Sequence, residues 1–177
     1  GGSGSTVGVT ATGVMRQFDS LTDPLRYEMN EQAFTGGSDF LLKLNGNRYE
    51  VSGHVGLSYV AGDSAAIANV QTASAHYFQR PDQDHVTFDP SRTSLFGTSA
   101  SVQARKIEGE HWLWGVGVWG DSPFFELNDV GVIRQADDIA TWGNVTYRET
   151  KPGRTFRNYS LNLSTMNGFN FGGVHKQ

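Results

Sequence analysis

The sequence predicts an all-β fold, an antiparallel meander of about eight or nine long strands cut from the wall of a transmembrane β-barrel. Three observations carry that expectation. First, 22 of the 177 residues are glycine and 12% are aromatic while only 18% are charged, the balance of a many-stranded protein. Second, residues 49–59 alternate without a break over eleven positions. Tyr49, Val51, Gly53, Val55, Leu57 and Tyr59 face one way; Glu50, Ser52, His54, Gly56 and Ser58 face the other. A strand crossing lipid needs about 9–11 residues, apolar outward and polar inward, with aromatics at both interfaces, whereas soluble strands average about 5–6. Third, short turns alternate with longer polar excursions along the chain, the asymmetry of outer-membrane barrels.

Taken in order, residues 6–18 read as a first strand with Val7, Val9 and Ala11 on one face. Residues 19–34 are polar, contain Pro24 and show no period, so a loop with one helical turn is expected. Gly36-Gly37 opens a second strand in which Phe40, Leu42 and Leu44 oppose Lys43 and Asn45. Asn45-Gly46 then supplies the positive φ angles of a type I′ turn before the 49–59 strand. Residues 61–92 form one long loop containing a short helix over 65–78, ended by Gln79-Arg80-Pro81-Asp82. An excursion of this length is usually functional, and in a barrel it would be an outer loop or an inward plug.

Alternation resumes at residues 93–108, and Glu108-Gly109-Glu110 turns into the most aromatic segment, 111–119. There Trp112, Trp114, Val116 and Val118 share one face, with Gly115 and Gly117 on the other. Residues 130–135 and 139–148 are expected to pair around an Asp137-Asp138 turn, and Lys151-Pro152-Gly153 to turn again. Tyr159, Leu161, Leu163 and Thr165 then oppose Asn158, Ser160, Asn162 and Ser164, with Asn167-Gly168 as a last hairpin turn. The Asn144, Asn158 and Asn162 sequons read as lumen-facing amides.

Net charge is −4 with no basic run, which excludes a broad phosphate-binding surface and therefore a nucleic-acid partner. Cysteine is absent, excluding disulfides, thiolate metal sites and a Cys nucleophile. No stretch has the length of a transmembrane helix, and the start does not read as a signal peptide. Residues 1–5 have linker or cloning-remnant composition, and 6–177 read as the barrel segment, continuing in strand-like text to the end.

Three blocks resemble a known family: Ala75-His76-Tyr77-Phe78-Gln79-Arg80-Pro81-Asp82, Arg92-Thr93-Ser94-Leu95-Phe96-Gly97, and Ser122-Pro123-Phe124-Phe125-Glu126-Leu127-Asn128-Asp129-Val130-Gly131. The family consists of large outer-membrane β-barrel domains of uncharacterised function. They usually follow a carbohydrate-binding family 9-like domain in Bacteroidetes-like and related Gram-negative bacteria. The resemblance covers residues 36–173 or so and is most specific at Glu126-Leu127-Asn128-Asp129 with Ala136-Asp137. It implies a central slice of a longer barrel located in the bacterial outer membrane and completed by the rest of its own chain. It supplies no catalytic residues.

The expected task is passage or capture of a small solute, saccharide-related and non-catalytic, with outer-membrane lipid as surroundings and no cofactor. Candidate ligand-contacting residues are His76, Arg80, Asp82, His85, Arg92, Glu126, Asn128 and Asp129; candidate membrane-interface aromatics are Tyr49, Tyr59, Trp112, Trp114, Trp119 and Trp142. Two rivals stand beside this reading. One is a soluble β-sandwich that binds carbohydrate by stacking sugar rings on Trp112, Trp114, Trp119, Trp142, Phe124 and Phe125. The other is a glycan-active enzyme with a carboxylate pair drawn from Glu126, Asp129, Asp137 and Asp138, which would need a separation of about 5–9.5 Å. The loop set His76, Asp82, Asp84, His85 and Asp89 matches no standard metal spacing, so no metal is expected.

Overall fold

The alternating segments become one sheet. The structure, a computed structural model describing residues 4–81 and 83–176, contains seven strands among those residues. They are β1 (Thr6–Met15), β2 (Gln32–Leu44), β3 (Tyr49–Ala61), β4 (Ser94–Lys106), β5 (Trp112–Asp121), β6 (Asp138–Glu149) and β7 (Tyr159–Phe169). Each pairs antiparallel with its neighbours in chain order, so the sheet is an open meander edged by β1 and β7. One 3₁₀ turn (Pro24–Tyr27) and one helix, α1 (Ser64–Thr72), interrupt it.

The register puts residues of one parity into continuous cross-strand rows. Val7, Phe40, Gly53, Val102, Val118, Thr141 and Asn167 form one row; Leu44, Tyr49, Lys106, Trp114, Val145 and Leu163 form another. This face is apolar and uncovered: Val9 is 83% exposed, Val116 52% and Leu163 78%. The opposite rows are polar. Gly8, Asp39, His54, Ser101, Trp119, Ala140 and Gly168 make one, and Lys43, Glu50, Arg105, Gly115, Asn144 and Ser164 another.

Because the order is a meander, the long segments 16–31, 62–93, 122–137 and 170–176 all emerge at one end, and the shorter 45–48, 107–111 and 150–158 at the other. The long segments fold over the polar face. There Ala33, Val60 and Leu95 from three strands meet Ile67 of α1, with Val70, Phe124 and Val130 packed around them. Gly97 permits that closeness: a Cβ on it would stand 2.2 Å from Cα of Phe125.

Several expectations need correction. Seven strands replace eight or nine because residues 130–135 do not extend. Val130 and Gly131 donate to the Leu127 carbonyl at 2.9 and 2.7 Å, and the Asn128 side chain takes the Ile133 amide at 3.1 Å. This turn chemistry overrides the apolar alternation of Val130 and Val132, and β6 pairs with β5 instead. Asn167-Gly168 is not a hairpin turn either; both sit inside β7, opposite Thr141 and Ala140. Residue 169 then bridges to His175, so no further strand follows among the described residues. The first strand stops at Met15, and β2 begins at Gln32 rather than at the glycine pair.

The helix is also shorter than 65–78. Asp63 caps it by accepting the Ala65 amide at 3.0 Å, and Ala73 leaves it with extended backbone, well before Pro81. The turn at 45–48 is wider than the two-residue type I′, with three successive positive φ angles at Asn45, Gly46 and Asn47.

Trp119 and Trp142 stand on the polar face, whereas Trp112 and Trp114 stand on the apolar one with Tyr49 and Tyr59. The indole of Trp142 lies in space left by Gly117, whose added Cβ would sit 2.5 Å from the ring nitrogen, and Arg105 covers it at 5.1 Å from the centroid. Of the sequon residues, Asn144 and Asn162 lie on the polar face, and Asn162 donates to the Thr146 hydroxyl at 2.7 Å.

Candidate functional site

The predicted ligand-contacting residues gather in the loop layer at the long-loop end, except Asp82, which lies outside the described residues. They form three clusters, each crossing between loops. In the first, His76 is fully buried; its Nδ1 donates to the Pro123 carbonyl at 2.9 Å and its Nε2 lies 2.6 Å from Glu126 Oε2. A carbonyl and a carboxylate both accept, so the imidazolium form satisfies both contacts. The other oxygen of Glu126 accepts the Asn128 amide, and the Glu126 amide donates to Ser58 Oγ of β3 at 2.9 Å. Burial alone pushes the Glu126 carboxyl up, but the His76 hydrogen bond, the backbone amides and the His76 charge outweigh it and leave it below the ordinary 4.5.

The second cluster surrounds Asp137, which is fully buried with φ of 56°. Its carboxylate meets Arg80 at 2.7 Å, His85 Nε2 at 2.8 Å and the Phe171 amide at 3.0 Å. Lys176 donates to its backbone carbonyl at 2.6 Å. Three separate stretches of chain, from the β3–β4 loop, the β5–β6 loop and the segment after β7, are thereby joined at one carboxylate. In the third cluster Asp129 binds Arg16 at 2.6 Å and the Asn30 side chain, which fastens the β1–β2 connection to the β5–β6 loop.

Arg92 lies over the Phe124 ring at 4.9 Å, and Gln71 of α1 exchanges two 2.9 Å hydrogen bonds with the Asp89 backbone. Asn128 holds the Ile133 amide as described. The sequence-predicted residues thus direct their polar groups chiefly at other groups of the loop layer. The carboxylates Glu126, Asp129 and Asp137 each have cationic or amide partners, and among the described residues no group of three His, Asp or Glu is placed to hold a metal ion.

A more open arrangement lies beside this layer. Between the polar face and residues 125–138 is a cleft of about 590 Å³ lined by His54, Ser99, Trp119, Asp121, Arg134 and Gln135 among others. His54 is held between two hydroxyls, with Nδ1 2.7 Å from Ser101 Oγ and Nε2 3.1 Å from Ser99 Oγ. Sequence reasoning put His54 on the polar face of its strand and weighed Trp119 as an aromatic, but it linked neither to Asp121 or Arg134. The missing signal is the cross-strand register: Gly56, Ser99, Asp121 and Asp138 are consecutive partners in one row. Arg16 and Asn30, which anchor Asp129, carried no sequence signal at all.

Fold and site together define a class: a long-stranded antiparallel meander sheet, apolar on one face, with a buried ionic loop layer and an open polar cleft on the other. Residues 21–173 match the family described as "Domain of unknown function (DUF5916)", and the chain belongs to that family. Neither a search of curated proteins nor one of solved structures finds a match. No helix among the described residues is long and apolar enough to cross a membrane.

Proposed function

We propose that this chain is part of the wall of a β-barrel in the bacterial outer membrane, and that its loop-covered polar face passes or captures a polar solute without chemistry of its own. The observation that carries this reading is the apolar face, which runs across all seven strands and stays exposed. Monomeric soluble proteins rarely leave apolar patches above about 300–600 Å² uncovered. A sandwich would bury such a face under a second sheet, but every strand described here lies in one sheet. Strands of 10 to 13 residues suit a bilayer crossing. The open edges β1 and β7 require strands from the rest of the protein, because unpaired backbone groups are costly in lipid. The outward aromatics Trp112, Trp114, Tyr49 and Tyr59 then meet outer-membrane lipid.

The test is reconstitution of the full-length protein into vesicles containing bromine-labelled phospholipid. Bromines in the acyl region should quench tryptophan fluorescence, and Trp112→Phe with Trp114→Phe should remove most of that quenching while Trp119→Phe leaves it. A protein monodisperse in plain buffer, with a cooperative melt and no lipid quenching, refutes the barrel reading.

A further inference from the structure

We infer that the cleft between β3–β5 and residues 125–138 is a saccharide-binding site, with Trp119 as the ring platform and Asp121 and Arg134 as its charged hydrogen-bonding pair. The assignment names a solute class for the capture reading and rests on it, although the cleft itself is present whether or not a barrel closes. Its size, about 590 Å³, lies within the range of small-ligand sites.

The chemistry of the lining selects the ligand. Asp121 faces Asp138 across the β5–β6 pair, but the two carboxylates are not equivalent. Lys176 at 3.4 Å and Gln135 at 3.4 Å attend Asp138. The Asp121 carboxylate has no hydrogen bond or ion pair among the described residues, and neither does the Arg134 guanidinium. This contrasts with the buried clusters next door, where Glu126, Asp129 and Asp137 are all engaged. The cleft therefore holds one free acceptor-only group and one free donor-only group, of opposite charge, so a neutral ligand satisfies it without leaving a net charge behind. That ligand must carry both donors and acceptors.

Ser99 adds a hydroxyl with acceptor capacity to spare, held in place by His54, whose two ring nitrogens are taken up by Ser99 and Ser101. Trp119, Phe125, Leu127 and Val132 supply apolar surface on the same cleft. A ring with hydroxyls around its edge and C–H groups on its faces matches this combination: the faces lie on the indole, and the hydroxyls reach the carboxylate and guanidinium. A long aliphatic ligand would strand Asp121 and Arg134, and a simple cation would leave Arg134 facing like charge.

The test is isothermal titration of the full-length protein in detergent with cellotetraose, maltotetraose and xylotetraose, and with spermidine as a cationic comparison. At least one tetraose should bind. Asp121→Asn should weaken it about tenfold, Trp119→Ala by at least about tenfold, and Arg134→Ala should also weaken it, with circular dichroism unchanged. Asp121→Asn is nearly isosteric, so it decides the matter if Trp119→Ala disturbs folding. Binding of none of the three glycans, tetraose binding indifferent to Asp121→Asn and Arg134→Ala, or spermidine binding lost with Asp121→Asn would each overturn the assignment. Lipid quenching without glycan binding would fail the site and spare the barrel; glycan binding by a protein that ignores lipid would do the reverse.

Discussion

Glu126→Ala removes the carboxylate that joins His76 to the β5–β6 loop. Both partners are buried, His76 completely and Glu126 with 3% exposure, so water does not replace what is lost. The substitution leaves His76 Nε2 and the Asn128 amide without their acceptor. Breaking a buried ion pair from one side costs about 3–5 kcal/mol, a large share of the roughly 5–15 kcal/mol that holds a domain folded. Glu126→Gln keeps the volume and one acceptor oxygen but loses the charge, so about 1.5–3 kcal/mol is expected, the worth of a hydrogen bond to a charged group. The Ser58 contact is made by the Glu126 backbone and survives both changes. Urea denaturation in detergent, followed by circular dichroism, reads both variants, with His76→Phe completing a double-mutant cycle. The coupling energy should fall between about 0.5 and 3 kcal/mol. Equal stability of Glu126→Ala and wild type, or zero coupling, would show that the 2.6 Å contact holds nothing together.

Acid should act on the same contact. The folded-state carboxyl of Glu126 is held below its ordinary 4.5, so the native state releases that proton more readily than the unfolded chain. Its contribution is complete above about pH 4.5 and is lost as pH falls through the lowered folded value; midpoints measured from pH 7 to 3 should show this limb, and Glu126→Gln should flatten it. Asp137→Ala severs Arg80, His85 and the Phe171 amide together and puts a β-carbon without a polar side chain at a positive φ. A loss of about 3–5 kcal/mol is expected, with limited proteolysis cutting the 62–93 loop first. Gly97→Ala drives a methyl into the Phe125 backbone and should cost about 1–3 kcal/mol in the same denaturation assay.

What the sequence made legible is what repeats at period two. The faces of β3, β4 and β7 follow directly from alternation, because each residue's side is set by the pleat alone. The loop layer follows no such period. Val130 and Val132 alternate as a strand would, yet their segment is turned by hydrogen bonds donated to the Asn128 side chain and the Leu127 carbonyl, which only the fold brings into play. Asn167-Gly168 carries a turn signature but sits where β6 already offers Thr141 and Ala140 as partners, and pairing prevails. The block around Glu126 and Asp137 was legible as special through its resemblance to the family. His76, Arg80 and His85 stood among the candidates, but Arg16 and Ser58 are far away in the chain and ordinary in composition.

The ionic clusters explain why the loop layer keeps one arrangement. Ile67, Ala75, Phe78, Val86, Phe125 and Ala136 are buried in that layer, but hydrophobic contact is non-directional and would by itself allow the segments 16–31, 62–93, 122–137 and 170–176 to slide. Carboxylates at 126, 129 and 137 remove that freedom, since between them they accept bonds from 16–31, 62–93 and 170–176 and a shifted loop would strand a buried charge. All three lie on the one connection between β5 and β6. That connection is also the outer wall of the cleft through Phe125, Leu127 and Arg134. Fixing it on three sides sets the separation between Arg134 and Asp121, so the partners of the buried charges determine the geometry of the cleft.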